Sequence, residues 1–264
     1  MSKASSQLQK MPCDGGISYT ELGHGVLLIW LDRPDKLNAL ETEFWPSLRR
    51  ILRDHEHDGR VVVITGSGER AFSAGGDISS FQELETEDAA AAFQIECMET
   101  FAAIEKHPVP VLAAVNGIAA GGGCELTMAC DIVLASETAT FSLPEATLGL
   151  VPGYGIIRAS SIIGRQWLNL LVMNGEWIDA NKAAQLGLVQ KVISPNLLLD
   201  EAIGLAEAIA QMPRQAIATA KKLAGSTTPQ ARIEESIASI TLLHTTVEAR
   251  ERRRDFIKRR KNRS

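Results

Sequence analysis

Residues 61–64, Val-Val-Val-Ile, form a run of β-branched side chains with no polar position before Thr65. Such a run has no face to offer water, so it fits a strand covered on both sides, as in a parallel sheet. Each parallel strand needs a crossover to its neighbour, usually a helix, and the chain alternates accordingly. Further strands are expected over 25–31, 111–115, 132–135 and 189–193. Between them Thr42 is placed to cap a helix reaching about His55, and Thr86 to open an Ala-rich helix reaching about Lys106. A short helix is expected over about 123–130, with helical patterns again near 156–163, 166–173 and 179–185. Residues 66–80 read as a Gly/Ser-rich loop. Past Ile193 no strand pattern remains. The stretches 197–211, 214–224 and 229–261 all read as helices, broken at Pro213 and Pro229. The expected organisation is a disordered segment over 1–14, an α/β core over 15–195 and a helical C-terminal subdomain over 196–264.

A chain of 264 residues with 45% hydrophobic content buries a large core without disulfide staples. Cys13, Cys97, Cys124 and Cys130 show no CxxC spacing and are read as reduced core thiols. Residues 1–14 are polar with no apolar stretch of signal-peptide type, and no run reaches membrane-spanning length. A cytoplasmic setting with no membrane partner is expected. Net charge is −5, yet residues 250–264 hold nine Lys or Arg against two acids. Such a tail is a candidate for contact with RNA, but Phe256 is its only aromatic ring, so a base-stacking platform is missing. No nucleic-acid partner is expected.

The five histidines have no zinc-ligand spacing and no GxSxG elbow occurs, which removes zinc and serine-hydrolase chemistry from consideration. Gly66-Ser67-Gly68-Glu69-Arg70-Ala71 matches a dinucleotide fingerprint in letters only, because glycine-rich loop follows it where a helix should open. Three other features are informative together. Gly75-Gly76 and Gly121-Gly122-Gly123 each follow an apolar segment and leave backbone N–H groups uncovered, as an oxyanion hole requires. Glu125 stands three residues after Gly122, on the same face of a helix beginning there. Glu145 is a second carboxylate between apolar stretches. Each alone reads equally well as a surface acid, but converging they would supply an acid and a base for proton transfer.

Residues 71–78, Ala-Phe-Ser-Ala-Gly-Gly-Asp-Ile, and 116–126, Asn-Gly-Ile-Ala-Ala-Gly-Gly-Gly-Cys-Glu-Leu, closely resemble the two hallmark motifs of the enoyl-CoA hydratase/isomerase (crotonase) family. Residues 33–40, 144–150 and 183–189 add further matches in order. The resemblance implies a crotonase-like spiral of ββα units with a helical C-terminal trimerisation region, and a homotrimer or dimer of trimers. It implies an acyl-CoA substrate and no separate cofactor, coenzyme A being part of the substrate. By motif position, Gly76 and Gly122 would supply the oxyanion hole and Glu125 and Glu145 the catalytic carboxyls. Lys36, Ala39, Ala74, Gly76, Asp77, Ile78 and Ser79 would line the CoA moiety, and Arg259 would face its phosphates. Both glutamates together favour hydration of a 2-enoyl-CoA, an enoyl-CoA isomerase or another enolate-forming acyl-CoA enzyme of the family being the alternative. Glu125, at a positive helix end, would be ionised, and Glu145 protonated. The sequence departs from the family after Pro152, where Gly153-Tyr154-Gly155 runs into Ile156-Ile157-Arg158.

Overall fold

The computed structural model describes residues 8–56, 61–224, 237–238, 241–242 and 244–261. A seven-stranded sheet orders its strands β1-β2-β3-β4-β6-β8-β11. These are β1 (Met11–Cys13), β2 (Ile17–Leu22), β3 (Val26–Leu31), β4 (Val61–Gly66), β6 (Val111–Val115), β8 (Ile132–Ser136) and β11 (Lys191–Ile193). From β3 onward all pairings are parallel, and every residue of β3, β4 and β6 is buried, as the unbroken apolar runs require. A second sheet, β10-β9-β7-β5, is built of very short strands: β5 (Ala71–Ser73), β7 (Ile118–Ala120), β9 (Thr140–Ser142) and β10 (Ile178–Asp179).

The chain visits the two sheets alternately. β4 and β5 precede α2 (Glu87–Lys106), β6 and β7 precede α3 (Gly122–Ala129), and β8 and β9 precede α4 (Gly155–Ile162). Each turn is strand, strand, helix, which is the expected ββα spiral. Because β5, β7 and β9 pair in parallel, their carboxyl ends emerge side by side. The loops that leave these ends carry Gly76, Gly122 and Glu145.

The remaining helices are α1 (Phe44–Asp54), α5 (Arg165–Asn174), α6 (Ala180–Leu186), α7 (Leu198–Ala210), α8 (Arg214–Ala224) and α9 (Val247–Lys261). Thr86 caps α2 as expected, accepting from the Ala89 N–H, whereas α1 begins at Phe44 without a cap from Thr42. The main core lies between the two sheets and α1 to α6. A second core fills the opposite face of the large sheet, where Leu198, Ala202 and Ala206 of α7 cover Leu28, Val63 and Leu112.

One expectation is corrected. Residues 11–13 are not disordered, since they pair with 17–19 as the sheet's edge strand. Just past the expected boundary at 195/196, α7 packs on the large sheet. No strand occurs beyond Ile193 among the described residues. The disorder expected of 1–7, and the helix start expected at 229, lie outside the described residues.

Candidate active site

The loop after β5 is fixed by the backbone of Leu40. The Leu40 N–H donates to the Gly75 carbonyl at 2.8 Å, and the Asp77 N–H donates to the Leu40 carbonyl at 2.8 Å. In an extended segment, successive N–H groups point to opposite sides. With Gly75 and Asp77 both bonded to Leu40, the Gly76 N–H is turned away from it. Neither the Gly76 N–H nor the Gly122 N–H donates to any described protein group. Gly122 is the first residue of α3, where an amide has no intrahelical acceptor.

Close packing explains the surrounding glycines. A Cβ at Gly75, whose φ is +88°, would lie 2.6 Å from the Ala120 carbonyl oxygen and 3.3 Å from the Gly122 nitrogen. One at Gly123 would lie 2.5 Å from the Ser73 carbonyl oxygen. Side chains here would push the two loops apart, and the Gly76 and Gly122 amides with them.

The stretch 33–40 holds this assembly from behind. Asn38 is buried in a left-handed conformation, φ 54°. Its Oδ1 accepts from the Arg33 N–H, and its Nδ2 donates to the carbonyls of Ser67 and Ala71. Arg33 reaches on to the Ala39 carbonyl and to the Asp77 carboxylate, 2.8 and 2.9 Å. Burial alone would raise the Asp77 carboxyl, but hydrogen bonds from Ser79 and Arg33 outweigh it and hold it below its usual range.

A cavity of about 370 Å3 opens in front of these loops. Ala74, Gly76, Ile78, Gly122, Glu125 and Glu145 all line it. Lys36, Ala39, Asp77, Ser79 and Arg259 do not: Asp77 is turned to Arg33 and Ser79, Ala39 is buried, and Lys36 and Arg259 are exposed on the surface. The structure thus brings the expected glutamates and glycines together, with part of the expected CoA-lining segment.

The two carboxyls have unlike surroundings. Glu125 is buried, and its Oε1 accepts from the N–H groups of Tyr154 and Gly155, both at 2.7 Å. Glu125 stands in the first turn of α3, as expected, and those amides, at the start of α4, bring a second helix end to its carboxylate. Burial pushes the Glu125 carboxyl up to about 7, with the two N–H bonds opposing. Both Glu145 carboxyl oxygens are buried with no hydrogen-bond partner. Burial, then the neighbouring Glu125 charge, raises Glu145 well above the usual carboxylate range. The pair therefore separates into a carboxylate with two donors and a carboxyl kept neutral.

The rest of the wall is mostly apolar and includes seven aromatic side chains. Trp45 packs edge-on to Phe101, which stacks on Tyr154 at 4.5 Å, and Phe81, Phe93 and Phe256 add further rings. Tyr154 and Gly155 stood out only as a departure from a familiar pattern; their backbone donors depend on how α4 approaches α3, which no local spacing encodes.

The basic tail is partly consumed within the chain. Arg253 is buried and donates to the His244 carbonyl, Arg250 donates to the carbonyls of Glu85 and Thr245, and Arg254 lies 3.9 Å from the Glu85 carboxylate. Among the described residues no helix is long and apolar enough to cross a membrane.

The sequence pattern of the enoyl-CoA hydratase/isomerase family matches residues 21–263. A probable enoyl-CoA hydratase of Rhizobium meliloti (strain 1021) is 42% identical over 198 residues, covering 74% of this chain and 76% of the relative. A mitochondrial enoyl-CoA hydratase of Pongo abelii is 37% identical over 240 residues, covering 89% and 81%. A crystal structure of an enoyl-CoA hydratase/isomerase from Mycobacterium paratuberculosis aligns with a TM-score of 0.85 at 30% identity, covering 93% of this chain and 99% of that one.

Proposed function

The chain belongs to the enoyl-CoA hydratase/isomerase family, and on that footing we propose that it adds water across the 2,3 double bond of an enoyl-CoA thioester. The observation that carries this reading is the asymmetry of the carboxyl pair: Glu125 accepts two backbone N–H bonds, while both Glu145 oxygens are buried without a partner. Hydration needs a base and an acid at once, and unlike environments provide them.

In the proposed reaction the Glu125 carboxylate takes a proton from water as the water oxygen bonds to C3. The C2–C3 π electrons move toward the thioester, whose carbonyl oxygen becomes an enolate held by the Gly76 and Gly122 amides. Each such donor contributes on the order of 3 kcal/mol in comparable sites. Glu145 then gives its proton to C2, the thioester carbonyl re-forms, and a 3-hydroxyacyl-CoA leaves. A 3-ene to 2-ene shift by Glu145 alone would leave the two-donor cradle around Glu125 unused, which favours hydration over isomerisation.

Incubating a 2-enoyl-CoA and a 3-enoyl-CoA separately and identifying products by mass tests this. A gain of one water on the 2-enoyl substrate is expected. Migration of the 3-ene with no hydration of either substrate would replace hydratase by isomerase.

A further inference from the structure

Granted the acyl-CoA reading above, the cavity holds a polar pair that hydration does not use. Gln94 of α2 and His244, in the helical stretch ahead of α9, are both buried and both line the cavity. The Gln94 Nε2 and His244 Nε2 atoms are 3.0 Å apart. Around them stand rings: Phe81 meets His244 edge-on at 5.3 Å, and Phe93 meets it at 6.1 Å. A polar pair among aromatic side chains costs free energy unless each group finds a partner.

The pair satisfies itself only in part. Burial, with the Arg253 cation adding, pushes His244 down to about 4, so its ring is neutral and offers one donor and one acceptor. One polar atom of the Gln94 amide bonds the ring. Whichever way the amide is turned, its other polar atom has no partner among the described residues. It is also absent from the atoms sealed off from solvent, so it is open to the cavity that Gln94 lines.

The position of the pair follows from Phe81. A Cβ on Gly76 would lie 2.5 Å from the Phe81 ring, and the same ring touches His244. The polar pair therefore lies across the Phe81 ring from Gly76, in the cavity that Gly76, Phe81, Gln94 and His244 all line.

We propose that Gln94, oriented by His244, is a specificity-determining residue that hydrogen-bonds an oxygen at the far end of the acyl group, and that the substrate is an enoyl-CoA with a distal hydroxyl beyond an apolar segment. The ring-lined wall accepts the apolar segment, and the free amide atom rewards the hydroxyl. Without such a substrate the pair is only a tether between α2 and the C-terminal helices.

Calorimetric titration with saturated acyl-CoA thioesters measures this without any turnover. The probes are matched chains of increasing length, each with and without a terminal hydroxyl. At one length the hydroxylated member is expected to bind wild type about tenfold tighter, as one added hydrogen bond implies. Gln94→Met should bring that ratio near one, and Gln94→Asn, with its shorter amide, should move the preference to a longer chain. Equal binding of both members at every length in wild type overturns the proposal, as does a preference that survives in folded Gln94→Met. If no acyl-CoA binds at all, the acyl-CoA reading fails and the proposal falls with it.

Discussion

At the scale of single residues, Glu125 and Glu145 set the pH behaviour. Both carboxyls hold protons more tightly in the folded chain than at the ordinary value of 4.5, Glu125 up to about 7 and Glu145 well above the usual carboxylate range. The stability they lend is therefore full below the ordinary value and is lost as pH rises through the folded values, where the unfolded chain has already ionised. Glu145→Gln should raise the melting temperature over wild type clearly at about pH 8 and hardly at about pH 5. A difference that does not change with pH would mean that Glu145 is not held neutral. The same shifts give the rate profile: kcat/KM should climb with pH through about 7 as Glu125 ionises, and fall where Glu145, held well above the usual carboxylate range, loses its proton.

These two residues were legible in the sequence because a carboxylate between apolar segments is out of place, and because Gly122 and Glu125 share one helix face. Gln94 was not legible, since a lone glutamine in an Ala-rich helix looks like any other polar position. His244 was hidden for the same reason. Only the meeting of α2 with the C-terminal helices gives either one a role.

At the scale of elements, the short sheet and the start of α4 carry the site. β5, β7 and β9 hold three residues each, too few to display alternation, so β5 lay inside a stretch read as loop and β7 and β9 were not among the expected strands. The longer elements were visible because burial on both faces, or a capped helical repeat, extends over a full segment. The α4 start, which holds Glu125, is anchored through Arg158, whose Nε lies 3.1 Å from the Glu105 carboxylate on α2. Arg158→Leu should loosen the Tyr154 and Gly155 donors and move the acid limb of kcat/KM to higher pH by about one unit. A lower rate with an unmoved limb would confine Arg158 to packing.

A second anchor holds α8. The Lys221 Nζ, nearly buried, lies 2.6 Å from the Asp131 carboxylate and donates to the carbonyls of Ile104 and Val109. Lys221→Met leaves that carboxylate without its cation and should lower unfolding free energy by about 3 kcal/mol, read from denaturant midpoints. A change too small to resolve would show that α8 is held by its apolar contacts alone.

At the scale of the whole molecule, the spiral was legible and its consequence was not. Alternating strands and helices pointed to an α/β core and the motifs to a shared site, but only the parallel pairing of β5, β7 and β9 shows how the ββα turns set the three loops side by side. Met173 and Trp177, together with Leu242 and Val247 of the C-terminal helices, are exposed on the single chain. We propose that assembly into trimers covers such surfaces; sedimentation should give the mass of three or six chains, and a monomer at micromolar concentration would refute it.

The proposed chemistry rests on the carboxyl pair acting on one enoyl thioester. The direct measurement follows loss of the conjugated thioester absorbance of crotonyl-CoA in wild type, Glu125→Gln and Glu145→Gln. Wild type should hydrate it, and each variant should be slower by about a hundredfold to ten-thousandfold while still folded. Wild-type hydration by either folded variant would contradict the assignment.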